Sequence, residues 1–183
     1  MRIKPAHIPY IANKIILDLM HSSFVKIKDD SQKLLKIAKE IIEIDVLNER
    51  KLDEKAKELL ESQEDEIEFM QIDRKSMFWM IKKKLASDFK FILDSEDRYN
   101  NLSHKILENL VEEDLINYNV SENRVKNLIF SSIMSYLKEY ENLEDIVYEK
   151  ISNYKRKLIP GSEEYELIFE KLYQEELRKK GLL

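Results

Sequence analysis

From Tyr10 to Ile159 the chain contains neither glycine nor proline. Glycine supplies positive-φ positions and proline fixes rigid turns, so folds built from strands and hairpins need both at short intervals. A chain without them is left with helices, joined by turns made of Asn, Asp and Ser. The punctuation that exists sits at the ends: Pro5 and Pro9, Pro160-Gly161, and Gly181. The fold class this implies is all-α.

The 183 residues suffice for one domain or two small ones. Hydrophobic residues at 43% allow a real core, and charged residues at 37% imply a soluble surface. A net charge of −5 argues against a general nucleic-acid coat, because neutralising phosphates calls for a basic face. With no cysteine there is no disulfide, no thiolate metal site and no thiol nucleophile, which fits a cytoplasmic protein. No apolar stretch reaches the roughly 18 residues a membrane span needs, and no signal-peptide pattern follows Met1.

Apolar spacing predicts eight helices. The first begins near Pro5 and places Ile8, Ile11, Ile15 and Leu19 on one face. Ser22 to Lys28 breaks the period and reads as extended. Asp29, with Gln32 three residues on, resembles a capping box for a second helix through Val46, and a third follows from about Glu49. A fourth helix is expected to run unbroken from about Ile72 to Leu93 on the stripe Met77, Phe78, Ile81, Leu85, Phe89 and Ile92. A fifth carries Leu102, Ile106 and Leu110. Ser121 caps the sixth, Asn142 the seventh and Ser162 the eighth, with Glu163 and Glu164 at its positive end. Gly181 stands where a helix C-terminal cap belongs, after Arg178-Lys179-Lys180.

Residues 30–86 set beside 121–177, an offset of 91, bring apolar positions together: Leu34 with Val125, Ile42 with Ile133, Leu52 with Leu143, Phe78 with Phe169. For the first helix an offset of 95 serves instead, pairing Ile11 with Ile106 and Ile15 with Leu110. Several helices and their gaps align together, which points to a tandem duplication.

The closing stretch, Pro160-Gly161-Ser162-Glu163-Glu164-Tyr165 and then Tyr173-Gln174-Glu175-Glu176-Leu177-Arg178-Lys179-Lys180-Gly181, resembles the C-terminal signature of a bacterial family, domain-of-unknown-function family 507. Members are typically short, and residues 99–183 follow the family's pattern of four helices. The first half lacks the signature, with Met70-Gln71 where Gly161-Ser162 would recur and Arg74 in place of Tyr165. The resemblance implies an all-helical bacterial protein whose first half is a diverged copy. It carries no catalytic residues.

Candidate sites are few. His7, His21 and His104 share no metal-ligand spacing, and His104 with Glu108 reverses the order a di-metal bundle needs. Two glycines cannot build a phosphate loop. The runs Lys82-Lys83-Lys84, Lys155-Arg156-Lys157 and Arg178-Lys179-Lys180 are candidates for contact with a polyanion, although such runs commonly serve as solvated helix ends. Tyr136, Tyr140, Tyr148, Tyr154, Tyr165 and Tyr173 all fall in the second half, and tyrosine is enriched at interfaces. Ser162, Tyr165, Tyr173 and Glu176 read as a latch holding the last helix down, with Gly161 and Gly181 as caps.

The expected architecture is two related four-helix units in tandem, 1–94 and 95–183, joined by a long central helix. The expected role is a non-enzymatic protein–protein interaction or structural module of the bacterial cytoplasm, binding an unidentified protein through the last two helices. Tyr165, Tyr173, Glu176, Lys155, Arg156, Lys157, Arg178 and Lys179 are its candidate contact residues. An RNA- or ribosome-associated factor using the basic runs is the rival, and a homodimer is left open. No catalytic residue, metal ligand, cofactor motif or membrane contact is singled out.

Overall fold

A computed structural model of the chain describes residues 2–28, 30–63, 73–154, 159–160 and 162–179. Pro5 opens a 3-10 turn, Pro5–His7, and Pro9 falls in the first turn of α1, Ile8–His21, where its missing N–H forfeits no helical bond. Val25–Ile27 forms β1 within the segment expected to be extended. The long α2, Ser31–Ser62, starts at Asp30, whose carboxylate accepts the Gln32 N–H at 3.0 Å. Asp29, the expected cap, lies outside the described residues. Asp73 caps α3, Arg74–Asp88, and Asp94 caps α4, Ser95–Glu112. Then come β2, Ile116–Tyr118; α5, Glu122–Ser152; and α6, Glu163–Lys179. None of the described helices is long and apolar enough to cross a membrane.

The helical class stands, with six helices among the described residues in place of the eight expected. The expected breaks near Glu49 and Asn142 do not occur. Leu34, Ala38, Ile42, Val46, Glu49, Leu52, Ala56 and Leu60 are buried at spacings of three and four, and nothing interrupts the stripe. Asn142 is likewise an exposed residue inside α5.

The unbroken helix to Leu93 is also overturned, and with it the connecting rod. Its start at Ile72 lies outside the described residues, and α3 ends at Asp88. The chain turns there, with the Phe91 N–H donating to the Ala86 carbonyl at 2.8 Å and the Lys90 N–H to Ser87 at 3.2 Å. Lys90 takes φ 53, the left-handed position after a helix that glycine usually fills. The apolar stripe misled because it is covered only in part: Met77, Phe78, Ile81 and Leu85 are half-buried beside the buried Lys82 and Ala86, and Phe89, past the helix end, is exposed. Asp114, with φ 54, makes the same turn after α4, so a chain poor in glycine places lysine and aspartate in left-handed positions.

β1 and β2 pair antiparallel, a small sheet that the all-helical reading did not anticipate: Val25 faces Tyr118, Lys26 faces Asn117 and Ile27 faces Ile116. Beyond the ladder, the Lys28 N–H donates to the Leu115 carbonyl at 2.9 Å and the Asn119 N–H to Phe24 at 3.2 Å. These two bonds exchange places when every residue is moved by 91 positions.

The same interval governs burial. Ile8, Ile11, Ala12, Ile15, Ile16 and Leu19 of α1 are each followed, 91 positions on, by a buried residue of α4: Tyr99, Leu102, Ser103, Ile106, Leu107 and Leu110. The separate offset of 95 for the first helix is unnecessary, since β1 and β2 are also 91 apart. In the packing, α1 lies on α2 and α5 while α4 lies on α5 and α2. These four helices enclose one hydrophobic core drawn from both halves. Beside them, α3 packs on α2 and α6 packs on α5, with Leu177 of α6 reaching the same core.

Candidate functional site

The last helix begins at Ser162, whose hydroxyl accepts the Tyr165 N–H at 3.2 Å and whose carbonyl accepts the Glu166 N–H at 3.0 Å. Glu163, Glu164 and Glu166 fill the first turn and Arg178 and Lys179 the last, each complementing the helix dipole. Leu177, 4% exposed, anchors α6 in the core.

Between the 3-10 turn, α1, α5 and α6 lies a groove of about 370 Å³, lined by His7, Tyr10, Tyr140, Glu144, Phe169 and Tyr173 among others. The half-buried Tyr173 ring stacks on Phe169 at 5.7 Å and meets Tyr140 edge-on at 5.3 Å. Its hydroxyl is buried with no hydrogen-bond partner among the described residues. Phe169 also contacts Tyr148 at 5.2 Å. Glu176 is buried one helical turn further on, where it accepts from Lys150 and from Lys179 at 2.7 Å. Those two ammonium groups, Lys150 foremost, hold its carboxyl below the usual carboxylate range.

His7 closes the inner end. It is 2% exposed, and its ring centre lies 4.1 Å from that of Tyr140 and 6.0 Å from that of Tyr136. Burial, reinforced by Lys4 and partly opposed by Glu144, lowers its pKa to about 4. The Lys4 backbone N–H donates to His7 Nδ1 at 3.4 Å, so the neutral ring carries its proton on Nε2. Burial also raises the Tyr136 and Tyr140 phenols, which stay protonated at neutral pH. The groove therefore offers aromatic faces and neutral polar groups, beside the Lys4–Glu144 ion pair at 2.6 Å and Glu170.

Across the molecule, at residues 91 positions away, the same frame holds charge instead. Arg98 corresponds to His7, Asp45 to Tyr136 and Glu49 to Tyr140. Arg98 is 5% exposed and pairs with Asp45 at 2.6 Å and Glu49 at 2.8 Å. Arg2 bridges Glu49 and Asp53, at 2.8 and 2.7 Å, and Lys82 also pairs with Asp53. This network was missed at the sequence level, although its signal was present: Arg98 lies four residues before Leu102 and Glu49 three after Val46, both in phase with buried stripes.

The structure thus brings Tyr173 and Glu176 to the α5–α6 contact, with Tyr165 half-buried at the start of α6. Arg178 is exposed, and Lys179 is exposed but engaged by Glu176. Lys155, Arg156, Lys157, Gly161 and Gly181 lie outside the described residues. Of the earlier basic run, Lys83 and Lys84 are exposed while Lys82 turns inward to Asp53. His21 and His104 are exposed. Among the described residues no group of His, Asp or Glu is arranged to hold a metal ion.

A family model described as protein of unknown function (DUF507) matches residues 1–182 in a single stretch that runs through both halves. No curated protein matches the sequence.

Proposed function

The chain belongs to the DUF507 family, and from that premise we propose that it is a non-enzymatic interaction module of the bacterial cytoplasm, binding a partner protein on the α5–α6 arm. The observation that carries this reading is apolar surface left unburied there. Tyr148, Tyr154, Ile159 and Leu167 are 48%, 45%, 72% and 74% exposed. Apolar and aromatic side chains this exposed gain by being covered by a partner surface. The aromatic groove behind it, with His7 held neutral, would give such a partner a firm backing.

The halves are proposed to be two copies of one ancestral unit, a helix, a strand, a long helix and a shorter helix, related by an approximate two-fold axis through Lys26 and Asn117. Support comes from reciprocity. His7 of the first half packs on Tyr136 and Tyr140 of the second, while Arg98 of the second packs on Asp45 and Glu49 of the first. Reciprocal contact is the signature of a two-fold interface. Under this reading one chain supplies internally what a homodimer would supply, and the second half keeps the binding arm while the first serves as scaffold.

Affinity capture from the native bacterium, with and without nuclease, tests the function. The expected outcome is a nuclease-resistant protein retained by the wild type and lost by Leu167→Glu, whose melting temperature stays unchanged because the side chain is exposed. Capture that disappears with nuclease would transfer the function to the RNA reading, with Lys83, Lys84 and Arg178 as its exposed described cations.

A further inference from the structure

On the opposite side from the aromatic groove, α2, α4 and the turn between α3 and α4 enclose a cavity of about 350 Å³. Its size is that of a small-molecule site. Its lining runs against the chain's overall charge, for 31 basic residues face 36 acidic ones in the whole sequence. Here Lys51, Lys55, Lys90 and Lys105 line the walls, and the lining carboxylate, Asp45, is already engaged by Arg98. Among the described residues none of the four lysines makes an ion pair.

The remaining walls include aromatic rings. Phe89 is 54% exposed, with the Lys55 ammonium 4.5 Å from its ring centre. Phe91 lies under the Arg98 guanidinium at 4.7 Å, and Arg98 is itself fixed by Asp45 and Glu49. Between the two phenylalanines stands Lys90 in its left-handed conformation, which sets both rings on one turn. The fold does not demand these cations. On the correspondence proposed above, Lys51 and Lys55 match Asn142 and Ile146, which support the same helix without charge.

We infer that this cavity is a binding site for a small organic polyanion with an aromatic body, of the nucleoside diphosphate class. The lysines neutralise the phosphates, and the exposed Phe89 face stacks the base. Base-to-aromatic stacking tolerates any base, and ammonium groups on flexible lysine stems recognise charge without demanding one geometry. The site therefore selects for a phosphate tail joined to a flat ring and leaves the identity of the base open.

Isothermal titration of the full chain with ADP, with inorganic pyrophosphate and with adenosine, at low salt, tests the assignment. Saturable binding of one ADP is expected, with pyrophosphate weaker and adenosine showing none. Lys51→Gln with Lys55→Gln should weaken ADP about tenfold or more. Phe89→Ala should weaken ADP while leaving pyrophosphate unchanged. All three positions are exposed, so unaltered melting curves separate loss of the site from loss of the fold. The inference is overturned by an absence of saturable ADP binding up to about millimolar concentration, by binding indifferent to the lysine pair, or by pyrophosphate binding as tightly as ADP. Tight binding of a single-stranded oligouridylate in the absence of ADP binding would overturn it in favour of RNA.

Discussion

Lys26 and Asn117 stand opposite each other at the centre of the β1–β2 ladder, 91 positions apart. Antiparallel pairing about that point lets each half insert its first helix between the long helices, α1 against α5 and α4 against α2. Neither half then encloses its own core. Residues 1–94 and 95–183 expressed separately should be poorly folded, and co-expressed they should associate one to one with native helicity. Circular dichroism and size-exclusion chromatography check this. Two fragments that each fold alone would show that the shared core is incidental.

The Arg98 network provides a test of magnitude. Removing the guanidinium by Arg98→Ala leaves Asp45 without a partner in a largely buried place, a loss on the order of 3–5 kcal/mol. The exposed pair Arg50 and Glu54, four residues apart on α2, serves as the comparison, and Arg50→Ala should cost less than about 1 kcal/mol. Urea denaturation of the two variants decides the matter. Equal losses would mean that Arg98 is a surface ion pair in effect.

These cases also mark how far the sequence could be read. The missing glycines led directly to helices, and the extended segment before α2 contains β1, because breaks in apolar period are local signals. Strand β2 was not anticipated, since Ile116, Asn117 and Tyr118 are ordered by pairing with residues 91 positions away. The predicted breaks at Glu49 and Asn142 assigned a stop to polar residues that lie harmlessly within long helices. In α3 the reverse happened: a regular stripe suggested a long buried face, but only the part touching α2 is covered and the turn at Lys90 ends the helix. Tyr173 and Glu176, singled out within the family resemblance, lie at the α5–α6 contact, against Tyr140 and Lys150. His7 and Arg98 were not singled out as site residues, because their burial depends on helices far away in sequence.

His7 predicts a pH dependence. Its folded pKa of about 4 lies below the ordinary 6.5, so between those values the unfolded chain binds more protons than the folded one. Stability should be fully present above pH 6.5, fall as the pH drops towards 4, and receive no further loss from this group below that. His7→Phe keeps an aromatic ring against Tyr140 and should flatten the curve in that window. Asp53, held below its ordinary range by Lys82 and Arg2 against the opposing effect of burial, adds a separate loss at lower pH. A wild-type curve without slope between pH 6.5 and 4, followed by denaturant midpoints, would remove the neutral buried histidine.

Lys90 and Asp114 hold the left-handed positions that glycine would fill without strain. A side chain at such a position costs roughly 1–2 kcal/mol, partly offset because glycine gains more freedom in the unfolded chain. Lys90 makes no ion pair among the described residues, so Lys90→Gly should stabilise the protein by a few tenths to about 1 kcal/mol. Asp114 differs in that its carboxylate pairs with Lys28, both side chains being solvent-accessible. Asp114→Gly should therefore gain slightly less, by no more than the small worth of an exposed bridge. Thermal melts of the two variants side by side provide the comparison. If Lys90→Gly lowers the melting temperature while Asp114→Gly raises it, the turn after α3 owes its shape to contacts of the lysine side chain, and backbone strain does not govern it.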